Sequence, residues 1–359
     1  MERHESLFDP SVQQRLKKEA NFNTLRFAAN ALRFRTLAKT SIRLYQRGDA
    51  VETGLSNVDQ DAMYVLHGEH ARILGDKSRF PGLVRELGYK APESYLLKTD
   101  KISPDDRAEE VLTYYQNPTR QTEGKAITML FVKPLNGTWQ RDLAAFDTAT
   151  QVGKEDLKKY LAKIEEYTLV QELMPNKGNF RYMRYRSNGG SIYTACSKFA
   201  RDKSADFKVK IPFIGERIHS KASGASNNRY LETIINLASI PLDNNNNQLN
   251  NLNRFMEGFT NALEDYLGGK IPLLSVDIGI EDLEKLGGDY DESAMRDNVI
   301  FFETQTLPLP WEFREHNIKH PLKTYINLWK MFIIEHGEGV LARAKSLRNF
   351  YNQSLKTMT

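Results

Sequence analysis

Leu, Phe and Ala recur every three or four residues between Pro10 and about Gln46, with no further Gly or Pro, which predicts a helical N-terminal segment over 10–46. The short run MYVLHG (63–68) reads as a strand. Between 76 and 97 the pattern predicts a helix stopped at Gly88, a turn at Pro92 and a strand. A polar helix follows near 104–117, an apolar strand over 127–133 and an amphipathic helix over 154–166. TLVQEL (168–173) is a further apolar segment. Over 179–201, two runs rich in aromatic and β-branched residues flank Asn188, Gly189 and Gly190, a strong hairpin signal.

Residues 202–227 read as a long polar loop, and Asn244 to Asn247 as a surface loop between two helices. Two apolar strands, 271–281 and 298–306, carry acidic residues and are separated by a polar insert. From Leu322 the pattern is helical, with a break expected at Gly337–Gly339. No internal repeat is visible, so the order is a helical start, an α+β centre and a helical end.

The length, 359 residues, allows two or three domains of roughly 100–200 residues each. Fifty basic and 46 acidic residues leave a formal charge of +4, too balanced to imply a polyanionic partner. The basic N-terminal helices leave an RNA-binding reading open beside the simpler one of a solvated helix face. The one cysteine, Cys196, excludes an internal disulfide and a Cys-based metal cluster, and its strand-like setting predicts a buried, inert thiol. The N-terminus lacks an apolar signal-peptide core and no run approaches a membrane span, so a cytoplasmic protein without membrane contact is expected.

Candidate chemistry begins with two carboxylates. Asp277 interrupts LLSVDIGI, and Glu303 follows VIFF. A carboxylate in such a strand is costly to bury unless it is paired or binds a cation. Adjacent strands would let this pair, with Gln305 two residues on, hold a hard divalent ion; the alternatives are water at a strand end or an ion pair with an Arg. Among the cations, Lys133 ends an apolar strand, Lys77 follows Asp76 at a helix start, and Lys198 and Arg201 close the hairpin. Each suits phosphate oxygens, and each alone is equally a surface residue with its charge in water.

The order of these segments is informative. DKSRF, GYKAPESYLL, LFVKPLNGTWQRDL, YTLVQELM, NFRYMRY, SKFAR, VDIGIE and VIFFETQT follow one another as the motifs of the ATP-grasp superfamily do. Over about 70–310 the chain resembles its carboxylate–amine ligase branch, which includes the ribosomal-protein glutamate ligases and D-alanine–D-alanine ligase. The resemblance implies an α+β, ATP-grasp-like fold of two lobes, with a helical N-terminal segment (1–75), a first lobe (76–170), a second lobe with the metal site (171–310) and a helical tail (311–359). It implies that Lys77 and Lys133 contact nucleotide phosphates under a loop at Gly137, and that the hinge 170–173, which ends at Leu173, holds adenine by backbone groups and by Gln171 or Glu172. Asn179 would lie near the ribose, and Arg181 matches the Arg of the family's D-x-R segment. Arg201, or alternatively Lys198, would stabilise an acyl phosphate, and Asp277, Glu303 and Gln305 would bind Mg²⁺ or Mn²⁺.

The implied activity is ATP-dependent, ADP-forming ligation of a small-molecule or peptide carboxylate to an amine through an acyl phosphate, with no nucleic-acid partner. The sequence leaves the substrates and the oligomeric state open. Gln140 and Asp142 stand where family loops carry glycines, and Gln305 replaces the usual Asn, so a non-catalytic nucleotide-binding protein is the alternative.

Overall fold

The computed structural model describes residues 4–6, 9–22, 70–117, 126–135, 144–165, 167–174, 176, 178–200, 238–241, 247–304 and 321–357. Their elements run β1 (His4–Ser6), α1 (Pro10–Phe22), α2 (Ala71–Leu74), α3 (Phe80–Glu86), β2 (Ser94–Leu97), α4 (Arg107–Gln116), β3 (Met129–Pro134), β4 (Ala144–Asp147), α5 (Gln151–Leu161), β5 (Thr168–Glu172), β6 (Gly178–Arg186), β7 (Ile192–Ala200), β8 (Ala238–Pro241), α6 (Gln248–Leu267), β9 (Leu273–Ile280), α7 (Glu284–Gly287), α8 (Glu292–Asn298), β10 (Val299–Thr304) and α9 (Pro321–Thr357).

The fold is α+β. The larger sheet has the order β1-β7-β6-β9-β10, with β8 also paired to β7, and the smaller one β2-β5-β3-β4. All pairings are antiparallel except that of β1 with β7. The boundary expected between 170 and 171 falls inside β5. Among the described residues, no helix is long and apolar enough to cross a membrane.

Strand alternation sorts the side chains by face. Phe180 and Tyr182 of β6, and Leu274, Val276, Ile278 and Ile280 of β9, form one core with Phe255, Met256 and Phe259 of α6 and with Phe80, Leu83 and Val84 of α3. Their neighbours on the other face, Met183, Tyr185 and Leu273, pack against Val12 of α1 and Phe332 and Leu341 of α9. In the smaller sheet, Leu97, Leu130, Val132 and Val170 pack on Val111 of α4 and Leu157 of α5. Phe131 and Lys133 therefore lie on the opposite face of β3. Cys196 is buried in the first core, and burial pushes its thiol up, as an inert cysteine requires.

The hairpin signal corresponds to β6 and β7, with Gly190 at φ +84° and the Ser187 N–H donating to the Ser191 carbonyl. Two expectations need correction. The asparagine run is not flanked by two helices: β8 precedes it and α6 follows, with Asn247 at φ 57°. The tail does not break at Gly337–Gly339; α9 is continuous from Pro321 to Thr357. A helical glycine costs about 1 kcal/mol relative to Ala, and burial of Met331, Phe332, Ile334, Val340 and Leu341 outweighs two of them. In α1, Arg15 pairs with Glu5 and stands over the Tyr193 ring. The helix expected over 23–46, the strand at 63–68 and the loop at 202–227 lie outside the described residues.

One glycine has a steric task. A Cβ on Gly153 of α5 would sit 1.9 Å from the Asp147 carbonyl oxygen, where β4 turns into the helix and Thr150 Oγ1 accepts from the Gly153 N–H. Gly153→Ala normally improves a helix, but here the clash with backbone dominates. It is expected to destabilise the protein by about 1–3 kcal/mol. A melting curve checks this; a raised melting temperature would contradict the close approach.

Candidate active site

A row of cross-strand neighbours forms the centre of the candidate site. Arg181 on β6 is in register with Asp277 on β9, and Asp277 with Glu303 on β10. Arg181 grips Asp277 with two bonds, Nε to Oδ1 at 2.7 Å and Nη2 to Oδ2 at 2.9 Å. Such a planar fork on a carboxylate is charge-assisted at both contacts.

Glu303 reaches this row through a bulge. Phe301 is in register with Ile278, yet Glu303, two residues on, is in register with Asp277. In a regular strand, residues two apart share a face, and Phe301 lies in the α6-side core. The extra residue between them puts Glu303 on the other face, beside Asp277. Gly279 gives the bulge room: a Cβ there would lie 2.8 Å from the Phe302 ring. Thr304 then points back into the core and donates to the Leu74 carbonyl.

The smaller sheet supplies the next charge. Lys133, near the end of β3, donates to Glu303 Oε2 at 2.9 Å and so links the two sheets. The pair is largely enclosed, with 13% of the lysine and 20% of the glutamate side chain exposed. Burial opposes the charged form of Glu303, but Lys133, then Lys77, then Arg181 outweigh it and hold the carboxyl well below its ordinary range. Lys77 lies in a turn whose Asp76 Oδ1 accepts from the Ser78 N–H at 2.9 Å and from Ser78 Oγ at 2.6 Å. Five residues separated by up to 226 positions in sequence thus converge: three cations around two carboxylates.

Other expected residues fare differently. Gln171 is buried and donates to Ser94 Oγ at 2.9 Å. The Glu172 N–H donates to the Glu93 carbonyl and the Leu173 N–H to the Met129 carbonyl, each at 2.8 Å. Glu172 Oε2 accepts from the Glu93 N–H at 3.3 Å. β5 is an interior strand between β2 and β3, and these groups make their hydrogen bonds to those neighbours and to the segments beside them. Lys198 lies near the end of β7. It is in register with Phe180 on β6 and Ile240 on β8, the row belonging to the face opposite Arg181. Asn179, two residues before Arg181, shares the face of Arg181 by register. Gly137, Arg201 and Gln305 lie outside the described residues.

Phe302 is the feature that sequence reading missed. It sits on the bulge, against Gly279 and close to Asn176, on the same side as the charged row. The signal was the unbroken run Val299 to Phe302, which alternation cannot accommodate on a sheet with one charged face.

Asp277 and Glu303 are the described residues that fit a hard cation, Glu303 being firmly ionised. Among the described residues, no group of three or more His, Cys, Asp or Glu side chains could hold a metal by itself. A cation here would need oxygens from a bound ligand, as Mg²⁺ commonly does with one or two carboxylates plus phosphate.

No protein-family model matches the chain, and no curated protein matches it. Among solved structures, it is similar to the ADP complex of N5-carboxyaminoimidazole ribonucleotide synthetase, at 10% identity and TM-score 0.39 over 68% of this chain and 48% of that one. It is similar to D-alanine–D-alanine ligase from Bacillus anthracis, at 12% identity and TM-score 0.41 over 74% and 69%. It is also similar to a RiPP-associated ATP-grasp ligase from Chryseobacterium gregarium in complex with ADP and a leader and core peptide, at 10% identity and TM-score 0.38 over 71% and 59%. The chain thus spans about half the length of the synthetase and less than two thirds of the peptide-bound ligase.

Proposed function

We propose that the chain is an ADP-forming carboxylate–amine ligase of ATP-grasp type, holding the phosphates of Mg-ATP between the two sheets. The observation that carries this reading is the convergence of Lys77, Lys133 and Arg181 on Asp277 and Glu303 across the two sheets. A site for a metal–polyphosphate complex needs both signs of charge, cations for phosphate oxygens and carboxylates for the metal. In the row, each sign now neutralises the other. Arrival of a ligand that also carries both signs would let Lys133 turn to phosphate while Glu303 turns to the cation.

Asp277 and Glu303 would hold the ion together with phosphate oxygens, and the ion would supply Lewis-acid stabilisation of the charge that develops on the transferred phosphoryl group. Lys77 and Lys133 would bind and orient the nucleotide. Arg181 would fix the direction of the Asp277 carboxylate. Arg201 is proposed to stabilise the acyl phosphate formed from the carboxylate substrate, which an amine then displaces to leave an amide and phosphate.

Lys133→Ala is expected to weaken ATP binding by roughly tenfold or more, the loss of one charge-assisted contact. Turnover is tested by an assay that separates ADP from AMP, run against pooled amino acids and peptides. ADP formation that depends on both a carboxylate and an amine supports the ligase. AMP as the product would exclude an acyl phosphate.

One observation favours a second reading, nucleotide binding without ligation. Arg181 holds both oxygens of Asp277 and Lys133 holds Glu303, so both carboxylates are engaged by cations that compete with a metal ion. That reading expects Mg-ATP binding with no ADP released under any substrate pool.

A further inference from the structure

A cavity of about 340 Å³ opens at the far end of the larger sheet, between α9 and the segment leading into β9. Its walls include His70, Lys270, His336, Arg343 and Glu335. It is distant from the charged row. Asp277 lies four residues along β9 from Leu273, about 13 Å at roughly 3.3 Å per residue, and Lys270 and Pro272 lie before that strand begins.

Among the described residues lining the cavity the one carboxylate, Glu335, is committed to the fold. Glu335 Oε2 accepts from the Tyr185 hydroxyl and, at 2.9 Å, from the Asn188 N–H, which ties α9 to the β6–β7 hairpin. Behind Lys270 stands a second buried carboxylate, Glu264. It faces three cations: Lys270 at 2.8 Å, Arg186 at 3.7 Å and Arg184 at 3.8 Å. Its other oxygen accepts from the Ile271 N–H at 2.9 Å. Among the described residues lining the cavity, Lys270 and Arg343 outnumber Glu335, before either histidine is protonated, and the Glu264 cluster behind Lys270 brings two further cations, Arg184 and Arg186.

Two histidines stand in the cavity wall. Gly269 admits the His70 ring, since a Cβ there would lie 2.6 Å from His70 Nε2. His336 Nε2 is buried, makes no hydrogen bond among the described residues, and lies 3.9 Å from Glu335 Oε2. Burial, aided by Arg343, keeps the ring below its ordinary pKa against the pull of Glu335. An anion in the cavity would offer this nitrogen a partner and favour its charged form.

We propose that this cavity is a second binding site, for a small organic anion carrying two or more negative charges, such as a phosphate monoester or a di- or tricarboxylate. The excess of cations selects charge. The volume lies at the lower end of small-molecule sites, roughly 300–1,000 Å³, which suits a compact metabolite rather than a nucleotide triphosphate. The lining side chains that can recognise a ligand are charged or imidazole groups, so specificity rests on charge-assisted hydrogen bonds. The site is independent of the proposed ligase chemistry and too far from Glu303 to present a substrate to it.

Calorimetric titration of the full chain with inorganic phosphate, glycerol 3-phosphate and citrate, at matched ionic strength, tests the proposal. At least one organic anion is expected to bind more tightly than inorganic phosphate, with binding weakened roughly tenfold or more in Arg343→Gln and in Lys270→Gln, each removing one charge-assisted contact. Lys133→Gln, at the other site, is expected to leave that binding unchanged. The preferred anion distinguishes the phosphate source from the carboxylate source. No binding to the wild-type chain at millimolar anion, binding undiminished in both cavity variants, or binding lost in Lys133→Gln would each overturn the proposal. If Arg343→Gln fails to fold, Lys270→Gln carries the test alone, because that side chain is mostly exposed.

Discussion

Glu303→Gln is expected to lower ATP turnover about a thousandfold while leaving the chain folded. The substitution keeps the size of the side chain, and Lys133 can still donate to the amide oxygen. The bulge that positions residue 303 depends on Phe301 and on the space at Gly279, and neither is touched. What is lost is the formal charge, and with it the carboxylate best placed to share a cation with phosphate. A metal contribution of about 4 kcal/mol to the transition state corresponds to that thousandfold. Asp277→Asn should cost less, because Arg181 already occupies both Asp277 oxygens. Steady-state ADP release, with a melting curve for each variant, checks both. Full activity in Glu303→Gln would show that the pair with Lys133 is only a bridge between the sheets.

The largest loss of stability is expected from Phe301→Ala, at about 3–5 kcal/mol. Phe301 is wholly buried, and its ring centroid lies 4.1 Å from that of Phe259, 5.8 Å from Tyr89 and 6.2 Å from Phe255. Truncation removes the central ring of this cluster and leaves a void between β10 and α6 that close packing cannot refill. Denaturant unfolding monitored by circular dichroism measures the effect, and a loss below about 1 kcal/mol would be out of keeping with a core position. Phe301 also fixes the residue before the bulge. Phe301→Leu should therefore retain most of the stability yet disturb the aim of Glu303 and lower turnover.

Much of this architecture is written in short-range pattern. The apolar runs around Asp277 and before Glu303 mark β9 and β10, and the Asn-Gly-Gly turn marks the β6–β7 hairpin, because each signal lies within a few residues of the structure it specifies. The helix ending near Gly88 is equally local: Gly88 sits at φ +78°, where L-residues are strained. The pairing of Asp277 and Glu303 on adjacent strands was also readable, since β9 and β10 are joined by one short polar insert.

What was not readable depends on register and on contacts distant in sequence. No local pattern shows that a bulge carries Glu303 to the face opposite Phe301. Nor does one show that Lys198 falls on the row of Phe180 rather than that of Arg181. The partners of Gln171 and Leu173 are equally hidden, because a strand's hydrogen bonds belong to its neighbours, and β2 and β3 lie about 75 and 40 positions away in sequence. Helix α9 continues past two glycines because packing against the hairpin and α1 outweighs local propensity. The cavity at Lys270 and Arg343 joins residues from His70 to Arg343, and no single segment announces it.

The central claim is that the row formed by Lys77, Lys133, Arg181, Asp277 and Glu303 receives a metal-complexed nucleotide. Calorimetric titration of ATP into the full chain, with and without Mg²⁺, tests it most directly. Because two carboxylates cannot hold the ion without phosphate oxygens, Mg²⁺ alone should bind weakly. ATP with Mg²⁺ should bind clearly, ATP without it poorly, and the Mg²⁺-dependent part should vanish in Glu303→Gln. Absence of binding at millimolar Mg-ATP, or binding indifferent to both Mg²⁺ and Glu303, would contradict the account.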